Sequence, residues 1–134
     1  ELHILRDNMG FDLCSTLGTS LRVGVAVALG AQGVVPALAN VIPGIFVDLW
    51  NFSESSNFEK IKLLNEKVMI ALQLGLLRKP PEGTQGSIFS GYKKALVELG
   101  IIEFDFVTKP ITPLTSDEAK AIPSILSKLN ISNV

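Results

Sequence analysis

The chain is 134 residues long, the size of one domain, and its formal net charge of -1 leaves no basic surface for nucleic acid and no acidic tail. Hydrophobic residues make up 47% of it and mean hydropathy is +0.38, a richness that suits either strands buried on both faces or a membrane protein. A single cysteine, Cys14, excludes an internal disulfide framework and points to a reducing, cytoplasmic compartment.

The chain opens on Glu1 rather than Met, without a basic-then-apolar signal run, which predicts a cut or a processing site there. Leu2, Ile4, Leu5 and Met9 recur at closer to helical than alternating spacing, and Gly10 ends that first helix. Phe11–Leu17 reads as a strand, closed by Gly18-Thr19-Ser20. Ser20 can cap the next helix, near Leu21–Leu29, because its hydroxyl can accept from a free N–H of the first turn. Gly30 stops that helix, and Val34–Ala39 forms a second strand closed by Asn40. Pro43 stands where a third helix can begin, since its missing N–H costs nothing there. Helix–strand–helix–strand–helix predicts an α/β fold with parallel strands joined by a crossover helix.

The same stretch tests the membrane reading. From Val23 to Val47 run 25 residues without a charge, and a bilayer needs ~20. Gly30-Ala31-Gln32-Gly33 in the middle is turn chemistry, and a break there in lipid would strand backbone polar groups. A soluble α/β unit is therefore expected rather than a membrane hairpin.

Past residue 55 the pattern is helical. Ser56-Asn57-Phe58-Glu59 has the spacing of a capping box, opening a helix to about Leu77. Its apolar stripe is Phe58, Ile61, Leu64, Val68, Ala71 and Leu72; Lys60, Lys62, Glu66 and Lys67 form its solvated face. Arg78-Lys79-Pro80-Pro81-Glu82-Gly83 breaks it, and the next helix runs from about Ser87 to Leu99, ended by Gly100. Thr115-Ser116-Asp117-Glu118 is a second capping box, whose helix should run to about Leu129 and bend at Pro123. Two parallel strands cannot make a sheet covered on both faces, so more strands are needed than this chain carries.

Several segments, taken in order, carry a resemblance. These are Leu17-Gly18-Thr19-Ser20, Leu29-Gly30-Ala31-Gln32-Gly33-Val34-Val35, Ala39-Asn40-Val41 with Pro43, Lys93 with Ala95 and Leu99-Gly100, and Lys109-Pro110-Ile111-Thr112-Pro113-Leu114. Their sequence and spacing resemble the last part of the pyruvate-dependent aldolases typified by dihydrodipicolinate synthase and N-acetylneuraminate lyase. The likeness is nearly collinear from Glu1 to about Leu129 but covers less than half of a family member. It implies the C-terminal portion of a (β/α)8 TIM barrel. Residues 1–55 would supply helix 6, strand 7, helix 7, strand 8 and helix 8, and residues 56–134 a C-terminal helical region.

The resemblance also implies chemistry this chain lacks. The family needs a lysine at the end of the sixth strand, whose neutral amine attacks a 2-oxo acid such as pyruvate to form an imine. A tyrosine on the fifth strand relays protons. This chain resembles the part of the family downstream of both, and no lysine occurs before Lys60. No catalytic residue, metal ligand or cofactor is therefore expected in it, and the lone tyrosine, Tyr92, reads as packing. The parent reads as a class I aldolase or lyase. The alternative is a non-catalytic half-barrel or accessory subunit that works by association. Either way, the missing N-terminal barrel part and a homo-oligomer are the expected partners, with no nucleic acid and no membrane.

The candidate substrate-binding residues are Gly18, Thr19, Ser20, Val35 and Pro36. Gly18 suits close approach of backbone to a substrate at a strand C-terminal end, or a plain turn. Thr19 and Ser20 can hydrogen-bond a hydroxyl, though helix capping explains Ser20 equally well. Val35 and Pro36 would serve through backbone groups, their side chains filling the barrel. Sialic-acid lyases carry acidic residues where Ser20 and Leu21 stand, which argues against that substrate. His3, alone of its kind, makes no metal site or triad. Cys14 reads as a small core residue without an activating partner. Gly83-Thr84-Gln85-Gly86-Ser87 lacks the lysine and spacing of a phosphate loop.

Overall fold

A computed structural model describes residues 16–17, 20–78 and 85–131. The expected first helix, most of the first strand, His3 and Cys14 lie outside the described residues, as do Gly18, Thr19 and residues 79–84. The chain divides into two compact units, residues 1–68 and 69–134.

In the first unit, β1 (Thr16–Leu17) and β2 (Gly33–Val34) pair in parallel, Thr16 opposite Gly33 and Leu17 opposite Val34. Between them in sequence lies α1 (Val23–Ala28), which contacts both strands and buries Val23 and Ala26. Its C-terminal end has a definite chemistry. Gly30, at φ 73°, donates its N–H to the Val27 carbonyl at 2.9 Å, and Ala31 donates to Ala26 at 2.9 Å. This is a Schellman turn, in which a left-handed residue lets two amides satisfy otherwise orphaned carbonyls.

The structure corrects three expectations in this unit. Ser20 does not cap α1: the N-cap is Arg22, whose side chain makes no capping bond. The strand expected over Val34–Ala39 stops at Val34, and Ala37–Asn40 forms a 3-10 turn instead. Pro36 has no N–H to give a ladder, and the Asn40 amide donates to the Ala37 carbonyl at 2.9 Å, closing the turn. That turn aims Leu38 wholly into the core. Next comes α2 (Pro43–Glu54), with Pro43 at its start as expected; it buries Phe46 and Leu49 and packs on α1. The third correction is at Ser56. Ser56 sits at φ 54° and closes α2 in another Schellman turn, Ser56 N–H to Ser53 and Asn57 N–H to Phe52. A residue in that conformation cannot also be an extended N-cap, so Asn57 takes the role, its Oδ1 accepting from the Lys60 N–H at 3.2 Å.

The helix so capped, α3 (Phe58–Leu72), carries its charged face in solvent as expected. Its apolar stripe is covered only toward the far end: Val68 and Ala71 are fully buried, whereas Phe58 is 76% exposed. Periodicity sets which face is apolar, but not how many turns of it find a neighbour. The division into units falls inside this helix, after Val68.

The second unit centres on a 3-10 turn, Gln73–Leu76, against α4 (Gln85–Glu98). Gly91 makes the contact possible: a Cβ there would lie 1.8 Å from the Leu74 carbonyl oxygen. Around it are buried Leu74, Tyr92, Ala95 and Leu99. Gly100, at φ 73°, ends α4 in the Schellman geometry used at Gly30. The capping box at Thr115 is present, opening the short α5 (Ser116–Ala119). Pro123 does not bend a long helix; it occupies the first turn of a separate one, α6 (Ile122–Lys128), which packs on α4 and buries Ile122, Ile125 and Leu126. At that position proline's missing N–H is an orphan anyway.

Candidate functional site

Parallel pairing with Leu17 opposite Val34 brings the C-terminal ends of β1 and β2 to one edge. Val35 and Pro36 lead away from that edge, and Ser20 lies in the connection from β1 to α1. In α/β barrels this is the end where the chemistry is done. Val35 is 69% exposed, while Pro36 is buried. Ser20 is half-buried. Of the five candidates, Gly18 and Thr19 fall outside the described residues.

Beside β2 runs a groove of about 390 Å³ whose walls include Val34, Pro36, Phe46, Val47, Trp50 and Asn51. None of its described lining residues titrates, and they offer mostly apolar surface. A larger hollow of about 600 Å³ in the second unit has Glu98 as its one titratable wall residue. Glu98 faces Lys94 at 4.0 Å along the same helix. Among the described residues no group of three His, Cys, Asp or Glu could hold a metal ion. No described helix is long and apolar enough to cross a membrane, and the uncharged stretch is split into α1, β2, the 3-10 turn and the start of α2.

The strongest electrostatic feature among the described residues was not visible in the sequence. Arg78, read there only as part of a helix break, grips Glu118 with two bonds, Nε to Oε1 at 2.9 Å and Nη2 to Oε2 at 3.0 Å. It also donates to the Pro113 carbonyl at 2.6 Å and to the Thr112 hydroxyl. This guanidinium, helped by the Thr115 N–H, holds the Glu118 carboxyl down from the usual 4.5 to about 2. Ser90, almost wholly buried, donates to the Thr112 carbonyl at 2.7 Å, and Lys93 donates to the Phe106 carbonyl at 2.6 Å. All these groups are spent on backbone and on each other, so the arrangement fixes the irregular segment 101–115 rather than offering a reactive group. Burial raises the Tyr92 hydroxyl's pKa, in keeping with a packing role.

A β–α–β unit with parallel strands, with helices after it, defines a piece of an α/β protein. The chain belongs to the dihydrodipicolinate synthetase family, whose model matches residues 13–129. It is similar to the dihydrodipicolinate synthase of Bacteroides thetaiotaomicron, with 28% identity and a TM-score of 0.77 over 95% of this chain and 41% of that one. The synthase of Aquifex aeolicus aligns at 20% identity and TM-score 0.71, over 97% of this chain and 41% of that one. That of Thermotoga maritima aligns at 21% and 0.67, over 85% and 36%. The chain thus spans about two-fifths of the length of these structures. No curated protein matches. The described residues of this chain are mostly helix with little strand, and match part of the dihydrodipicolinate synthase fold.

Proposed function

We propose that this chain is the C-terminal portion of a Schiff-base-forming aldolase or lyase, carrying the last two strands of the barrel and the helical region after it. In this reading residues 1–55 complete the barrel and residues 56–134 form the helical region. The intact enzyme condenses pyruvate with an aldehyde, or cleaves such an adduct, in the cytoplasm. The observation that carries the reading is the parallel β1–β2 pair, in a chain of this family, with no lysine at either strand end.

The chemistry needs an uncharged amine that attacks the C2 carbonyl of the 2-oxo acid and expels water, leaving an imine. That amine comes from the rest of the barrel, the partner of this chain. Gly18, Thr19, Ser20, Val35 and Pro36 contribute backbone and hydroxyl groups to the wall of the substrate site. The apolar groove beside β2 and the exposed Val35 are the surface the rest of the barrel covers, and the completed protein associates further into a homo-oligomer. The exposure of Val35, just past the end of β2, supports this: a large apolar side chain left in water beside an apolar groove marks a surface for another element.

Borohydride trapping tests the assignment. With pyruvate and borohydride, the chain alone is expected to gain no stable adduct, because none of its described lysines lies at the end of β1 or β2. Adding a polypeptide that carries the family's lysine-bearing strands should restore trapping, on the added lysine. A stoichiometric mass increase on one lysine of this chain would overturn the reading.

A further inference from the structure

No further inference is drawn: the strongest candidate, the apolar groove beside β2 lined by Pro36, Phe46, Val47 and Trp50, belongs to the surface the proposed function already assigns to the rest of the barrel, and nothing in the structure shows another occupant.

Discussion

Among the described residues, the side-chain hydrogen bonds within the two units differ in reach. In the first, Asn40, Ser53, Ser55 and Asn57 spend their side chains on backbone groups three or four residues away, and apolar packing of α1 on α2 links the elements. In the second, Arg78 reaches Glu118 across 40 residues, Ser90 reaches Thr112 across 22 and Lys93 reaches Phe106 across 13. Side chains that bridge distant segments fix an irregular chain in one shape, because each buried partner would be costly to leave unpaired. In the first unit Val35 is still mostly in water.

Glycine-to-alanine changes probe this contrast most strongly. Gly91→Ala puts a Cβ 1.8 Å from the Leu74 carbonyl oxygen, so α4 or the 3-10 turn must move. Overpacking of this kind costs roughly 3 kcal/mol or more, read as a lower denaturation midpoint. Gly24→Ala, inside α1, meets only Ser53 Oγ at 3.4 Å and should instead gain up to about 1 kcal/mol from helix propensity. Equal losses at both sites would erase the distinction between the units.

Breaking the Arg78–Glu118 grip comes next. Arg78→Met should cost about 2 kcal/mol, as charged hydrogen bonds are lost and the carbonyl of Pro113 and the hydroxyl of Thr112 lose a donor. The same pair gives a pH signature. Because the folded protein lowers the pKa of Glu118, its contribution is fully present above pH 4.5 and is lost as pH falls toward 2. Glu118→Gln should flatten the acid limb of a stability–pH curve over that window. An unchanged limb would mean that the pair contributes nothing net.

Ser56 offers a smaller effect of opposite sign. A non-glycine residue at φ 54° costs roughly 1–2 kcal/mol, so Ser56→Gly should raise stability by about 1 kcal/mol in thermal unfolding. The smallest change in stability is at Val35. Val35→Ala in the chain alone should shift unfolding by less than about 0.5 kcal/mol, since the side chain is already mostly in water. Its effect belongs to association instead. Exposed strand edges and apolar side chains recruit other chains, so the purified chain at low micromolar concentration should sediment above monomer mass, and Val35→Lys should move it toward monomer. A monomer with a cooperative transition would show that the first unit needs no covering.

What the sequence determined by itself is the chemistry that acts within one turn. Gly30 and Gly100 as left-handed helix stops, Pro43 at a helix start and the capping box at Thr115 all stand as read, because each depends on residues at most five apart. The parallel order of β1 and β2 was legible too, since a single helix between two strands leaves little other choice. The order of the motifs carried the family. Tertiary structure alone decided which of two adequate local signals would be used, and it did so by packing. It made Ser56 a helix stop and gave the cap to Asn57; it turned Ala37–Asn40 away from the strand to bury Leu38; it left Phe58 in water while burying Val68. In the candidate site, it buried Pro36 and exposed its neighbour Val35. It also joined Arg78 to Glu118 and pressed Gly91 against Leu74, contacts that no local pattern announces because the free energy behind them comes from desolvation and close approach between distant segments.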